Sequence, residues 1–244
     1  MAARSSASAF DIPVESNPQV FNDYAAKLGL DLSLACFCDV LSTESWALDM
    51  VPRPVHSVLC LFPVSAASEA ARVAEETARL AAGAAAAADS RVFFMRQGSN
   101  NSCGTIGLFH AVANASTLTG GPLLLPPESS LAKFIAAHLG ATPAARATAM
   151  ETDAGLEAAH GVAVHEGQSA VVDDTHLHFF CLVSKGGALV ELDGRKEAPI
   201  KHGATSDETF LSDCAAVVRA AMARDEGELR FTMLALAAPA PDED

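Results

Sequence analysis

At 244 residues, half of them hydrophobic, the chain can bury one sizeable core and falls within the size range of a single large domain. The 16 basic against 30 acidic residues give a formal charge of −14, which argues against nucleic acid and favours a partner with a basic surface. Six cysteines (Cys36, Cys38, Cys60, Cys103, Cys181 and Cys214) are too sparse for a disulfide scaffold, and no stretch approaches the roughly 20 apolar residues of a membrane span, so a cytoplasmic or nuclear protein without a membrane partner is expected.

In NPQVFNDYAAKLGL, Asn17 reads as an N-cap, Pro18 as the first helical residue and Gly29 as the residue just past the end. ACFCDVL and SVLCLFPV, separated by MVPRP, read as buried strands. Residues 66–89 are dominated by alanine with interspersed Glu and Arg and suit a helix, although the run AAGAAAAAD serves equally as a low-complexity connection. VFFMRQ reads as a further strand, and NNSCGTIGLFHAVAN as a helix capped by Asn101 or Ser102 and beginning near Cys103. After GGPLLLPP, the segment ESSLAKFIAAHLG is a helix ending at Gly140, and ATPAARATAMETDAGLEAAH holds a second one. Residues 161–175 (GVAVHEGQSAVVDDT) show neither period and are expected to form a long loop, the kind of segment that carries function in compact domains. LHFFCLVS and ALVELDG, joined by KGG, form a hairpin; Thr205 and Glu208 read as a capping box for a helix to about Asp225; and LRFTMLAL is a last strand before the polar tail at 239–244. Helices and strands mixed in this way predict a helix-flanked, largely antiparallel sheet.

Cys103 stands where a strand feeds a helix, and unpaired amides together with the helix dipole favour a thiolate there. Gly104 and Gly107 in the following turns suggest that something, such as a peptide tail, approaches the backbone closely. The thiol needs a base, for which His176 and His178 both qualify, and a carboxylate to orient that base, for which Asp193 stands out with Glu191 as its neighbour. Residue types and spacing leave the choice open.

QGSNNSCGTIGLFHAVAN together with LHFFCLVSKGGALVELDGRKEAPIKHG resembles the paired active-site segments of the ubiquitin C-terminal hydrolases, peptidase family C12. The likeness continues in order through VESNP, MVPRPV, LFPV, HEGQ, TSDET and ELRF, and is nearest to the small single-domain members. It implies an α/β (α+β) fold, a papain-like cysteine-protease three-layer α-β-α sandwich with a central, mostly antiparallel sheet and a knotted backbone. One catalytic domain would span 1–244, with 161–175 as a crossover loop that limits the leaving group to something small or flexible. Carried over residue by residue, the resemblance implies Cys103 as nucleophile, His178 as base and then acid, Asp193 as its orienter and Gln97 as a side-chain donor to the oxyanion, and leaves His176 without a role. The implied activity is thiol-dependent deubiquitination through a thioester at Cys103. The implied substrate contacts are Pro13, Val14, Glu15, Asp39, Glu228 and, from the loop, Val164, His165 and Glu166. The resemblance implies a monomer acting on ubiquitin, with NEDD8 as an alternative, and no cofactor.

Plainer readings cover the remaining candidates. The Cys36/Cys38 pair lacks a second pair at metal-binding spacing and reads as buried strand, and His176 and His178 with Asp173 or Asp174 have too few partners to hold a metal. His110 reads as a satisfied structural histidine and Cys181 as a packing residue. The rival to an enzyme is a ubiquitin-binding protein with incidental turnover.

Overall fold

The computed structural model describes residues 10, 12–81, 92–99, 101–116, 124–166, 176–224 and 227–240. Six strands, β1 (Cys36–Asp39), β2 (Val55–Pro63), β3 (Leu177–Lys185), β4 (Ala188–Leu192), β5 (Ile200–Ala204) and β6 (Thr232–Ala237), form one sheet in the order β1-β6-β2-β3-β4-β5. Every neighbouring pair is antiparallel. The β3–β4 hairpin turns at Gly186 and Gly187, both at positive φ (59° and 75°), which only glycine adopts without strain.

Alternation along β2, β3 and β6 sends side chains to two separate cores. Leu59, Phe179, Cys181, Leu234 and Leu236 face α1 (Pro18–Leu28), α4 (Cys103–Ala115), α5 (Ser130–His138), α6 (Pro143–Glu151) and α7 (Ala154–Glu166). Cys60, Phe180, Leu182, Met233 and Ala235 face α2 (Ser45–Leu48) and α8 (Phe210–Met222), with α3 (Ala66–Ala81) tied to that side by ion pairs from Glu69 to Arg195 and from Glu75 to Lys196 and Arg224. The molecule is therefore a three-layer α-β-α sandwich. Among the described residues, no helix is long and apolar enough to cross a membrane.

The boundaries of α1 follow the local chemistry: Asn17 accepts the Gln19 N–H at 2.9 Å, and Gly29 ends the helix at φ 105°. Elsewhere tertiary contacts override the local pattern. VFFMRQ is not a strand. The polypeptide after α5 divides at Asp153, whose side chain accepts the Gly155 and Leu156 N–H groups and starts α7, and α7 runs to Glu166, so the first part of the expected loop is helix. Its remainder, 167–175, lies outside the described residues, as do 82–91 and 241–244. Thr205 and Glu208 do not form a capping box. Thr205 donates to Asp213, Glu208 accepts from Ser206, and α8 begins at Phe210 after an N-cap at Thr209. The short elements α2 and β5 carry no periodic signal strong enough to be read from sequence.

The buried Arg146 of α6 joins three segments. Its guanidinium donates to the carbonyls of His138 (2.8 Å) and Leu139 (2.5 Å) at the end of α5 and to Phe94 (2.8 Å), and it lies 4.5 Å from the centroid of the Phe93 ring. Arg146→Ala orphans three carbonyls at once and is expected to lower the free energy of unfolding by about 3 kcal/mol, read as a lower urea midpoint; Arg146→Lys recovers only part of this, because an ammonium cannot reach all three.

Candidate active site

Every residue of α4 is buried, so it is a central helix with the sheet on one side and α1, α5 and α7 on the other. Cys103 is its first residue. Ser102 holds the N-cap position, but its hydroxyl donates to the Ser99 carbonyl at 3.0 Å rather than capping the helix, so the first-turn amides stay directed at the thiol. Burial alone would push the Cys103 thiol up. The hydrogen bond and charge of His178, with the amides of Phe179 and Gly104, outweigh burial and hold the thiol below its ordinary range.

His178 is the second residue of β3 and projects, by alternation, to the α8 side with Phe180, whereas Cys103 belongs to the core on the α4 side. The two meet where the N-terminus of α4 reaches the end of the sheet. His178 Nε2 donates to Asp193 Oδ1 at 2.6 Å, with both side chains almost wholly buried, which leaves Nδ1 as the nitrogen for Cys103. Burial would push the imidazole down, but the Asp193 carboxylate, together with Cys103, carries it up to about 9. Burial would likewise raise Asp193. The imidazolium, the Arg195 amide (2.9 Å) and the Lys196 ammonium hold it instead at about 2. These shifts all favour a thiolate–imidazolium pair backed by an ionised carboxylate.

Gln97 stands beside this pair. Its side-chain amide and the Ser102 hydroxyl both donate to the Ser99 carbonyl, at 2.9 and 3.0 Å, which brings the amide within one residue of Cys103. Its backbone N–H donates to Gly194 at 2.8 Å, and a Cβ on Gly194 would come within 3.1 Å of Gln97, so the residue after Asp193 is a seat for Gln97.

Other expected positions sort differently. His176 is exposed, lies outside β3 at φ 49°, and gives its carbonyl to the Val64 N–H, so strict alternation with His178 does not hold. Glu191 turns to Lys196 (2.5 Å) and His202 (2.8 Å). Gly104 and Gly107 make room for core side chains rather than for a peptide tail. A Cβ on Gly104 would meet Val14 at 2.9 Å, and one on Gly107 would meet Leu59 at 3.2 Å. Val14 is consequently buried, and Val164 is buried within α7 rather than carried on a loop. Pro13 and Glu15 are half-buried, Asp39 and His165 are exposed, and the side chain of Glu166 lies outside the described residues. The Glu228 carboxylate is taken by Arg230, which donates to it through its backbone amide (2.9 Å) and its guanidinium (2.6 and 2.9 Å). Cys36 and Cys38 are half-buried strand residues, and among the described residues no group of three or more His, Cys, Asp or Glu side chains is placed to hold a metal ion.

A buried polar chain beneath the site has no signal in the sequence. His160 Nε2 donates to the Ile12 carbonyl at 3.0 Å, which fixes Nδ1 as acceptor of the Thr105 hydroxyl at 2.7 Å, and Thr105 in turn accepts from Tyr24 at 3.1 Å. It pins α7, α1 and the segment before Pro13 to the first turn of α4. His160 is one apolar-flanked histidine among eight, and only the fold shows what it meets.

The family model described as ubiquitin carboxyl-terminal hydrolase, family 1, matches residues 12–223. Ubiquitin carboxyl-terminal hydrolase 3 of Arabidopsis thaliana is 38% identical over 235 residues, 96% of this chain and 97% of its own. A Drosophila melanogaster ubiquitin carboxyl-terminal hydrolase is 40% identical over 228 residues (93% and 96%), and the human isozyme L1 38% over 224 residues (92% and 96%). Among solved structures, the catalytic domain of Trichinella spiralis UCH37 bound to ubiquitin vinyl methyl ester has the same fold, with a TM-score of 0.70, 18% identity, and coverage of 93% of this chain and 95% of that one.

Because Asp193 stabilises the imidazolium and the imidazolium stabilises the thiolate, Asp193→Asn is expected to raise the Cys103 pKa. The rate of iodoacetamide alkylation at pH 6 should fall, by at most about tenfold for each unit of that shift, with a smaller change at pH 9, and an unmoved pH profile would refute the coupling.

Proposed function

The chain belongs to ubiquitin carboxyl-terminal hydrolase family 1, and from that premise we propose that it is a deubiquitinating cysteine peptidase that removes small or flexible adducts from the C-terminal glycine of ubiquitin. The contact of Cys103 with His178, itself bonded to Asp193, carries this reading. The Cys103 thiolate attacks the carbonyl carbon of the terminal glycine. Gln97 and the backbone N–H of Cys103 donate to the oxygen as it takes up negative charge. The His178 imidazolium gives its proton to the leaving amine, and a thioester remains. His178, now neutral, removes a proton from water, the resulting hydroxide displaces the thiolate as the imidazolium re-forms, and the new carboxyl group gives its own proton to solvent, so that ubiquitin is released with its carboxylate.

The acidic balance of the chain, −14, complements a basic partner tail, with Glu15 and the exposed Asp39 as contact candidates. Glu228 is a weaker one, since Arg230 already neutralises it. Of the loop expected at 161–175, the residues up to Glu166 belong to α7, and the exposed His165 in its last turn is a further contact candidate. We place the protein as a monomer in the cytoplasm or nucleus, and take ubiquitin over NEDD8 as its substrate.

Wild type and Cys103→Ala are to be incubated with fluorogenic C-terminal derivatives of ubiquitin and of NEDD8. Release is expected from the ubiquitin derivative with wild type alone, and faster than from NEDD8. Ubiquitin binding without Cys103-dependent release would replace the enzyme by a binding protein. Turnover should fall above about pH 9 as His178 loses its proton. Gln97→Ala should slow it by about two to three orders of magnitude with the fold intact.

A further inference from the structure

The segment carrying Gln97 has no strand neighbour among the described residues, yet its backbone is bonded as though it had one. Asn114 of α4 accepts the Phe93 N–H at 2.9 Å and donates to the Phe93 carbonyl at 2.8 Å, pairing both polar groups of one residue as a facing strand residue would. His110, one turn earlier, accepts the Met95 N–H at Nε2 at 2.9 Å, and Gln97 N–H reaches the Gly194 carbonyl. On the opposite side, Phe94 gives its carbonyl to Arg146 and Arg96 gives its N–H to the Pro143 carbonyl at 3.1 Å. The partners alternate sides residue by residue, as in a ladder.

This ladder is built on the helix that begins with Cys103. Residues 110 and 114 each lie within about 20° of residue 103 around α4, on either side of it, with His110 about 10 Å from Cys103 along the axis. Phe93 meets the far end of the helix and Gln97 meets the near end, where a Cβ on Gly194 would touch both Gln97 and Ile106. The segment therefore descends antiparallel along α4 toward the thiol. Asn114 also donates to the His110 carbonyl (2.8 Å), and the His110 ring stacks on Phe94 with centroids 5.4 Å apart and planes at 17°, so neither side chain has freedom to drift. Burial pushes His110 down to about 4, so it stays neutral and keeps the Nε2 lone pair that the Met95 N–H needs.

We propose that His110 and Asn114 are positioning residues that act as a side-chain surrogate for a β-strand, setting the register of residues 93–97 along α4 so that the Gln97 amide is held over the carbonyl attacked by Cys103. This rests on Gln97 being an oxyanion donor.

The test is a double-mutant cycle between Gln97→Ala and His110→Phe, which keeps a ring against Phe94 but removes the acceptor, with turnover of fluorogenic ubiquitin and iodoacetamide alkylation of Cys103 as paired readouts. Alkylation at saturated carbon develops no oxyanion. His110→Phe is expected to lower kcat about tenfold or more with KM and alkylation within about twofold of wild type, and to cost less than about twofold once Gln97 is already Ala. His110→Gln, which retains an acceptor, should restore most of kcat. An undiminished loss in the Gln97→Ala background, a parallel fall in alkylation, or an unchanged kcat would overturn the proposal. An unchanged kcat for Gln97→Ala alone would instead sink the oxyanion reading beneath it. Native-state hydrogen exchange of the unmutated protein gives a check independent of any variant's folding: the Phe93 and Met95 amides should exchange as slowly as those of α4, and exchange as fast as in the exposed loops would also overturn it.

Discussion

A helix with no solvent face imposes a strict rule on its polar groups, and the site depends on how α4 obeys that rule. Thr105, His110 and Asn114 are buried among apolar neighbours, where an unpaired donor or acceptor costs about 1–3 kcal/mol. Each is therefore committed to a specific partner on another segment: Thr105 to His160 and Tyr24, His110 to Met95, Asn114 to Phe93. These bonds fix where the surrounding segments lie relative to Cys103. The same burial would make an isolated thiol inert, as at Cys60, Cys181 and Cys214, whose pKa values are all raised. Cys103 differs because it is the first residue of the helix and faces an imidazolium.

That imidazolium is maintained by charges arranged in depth. Asp193 holds His178; Lys196, buried against Glu191, lends positive potential to Asp193; and Glu191 is in turn shared with His202. A buried charge with one partner removed is costly, whereas a chain of alternating charges ending near the surface leaves none uncompensated. Cys103 comes from the α4 layer and His178 from the face of the sheet turned to α8, so their contact reports the correct closure of both cores at once.

Local chemistry was legible where it dominates. Asn17, Pro18 and Gly29 bound α1 as capping preferences require, and the KGG turn joins β3 to β4. VFFMRQ has the composition of a strand and the alternating partners of one, but those partners are side chains of α4 and α6 and the carbonyls of Pro143 and Gly194, which no periodicity encodes. The capping box at Thr205 does not form, because α8 starts only at Phe210 and Thr205, just past the end of β5, donates to Asp213 of that helix. In the site, residue types and spacing point to Cys103 and Asp193 and leave His176 and His178 level; the likeness to a family favours His178, which is buried where His176 is exposed. In sequence Gly104 suggests an opening for substrate, because a missing side chain looks the same there whether a ligand or Val14 fills the space.

The order of the sheet also has a consequence for how the molecule comes into being. β6, the last in sequence of the six strands described, lies between β1 and β2, the first two, so β1 has no described strand beside it until residues beyond 231 leave the ribosome. Contacts this distant along the chain close late and slowly. Nascent chains would thus carry Cys103 well before the sheet that presents His178 is complete, and reactivity would arrive only once β6 is in place.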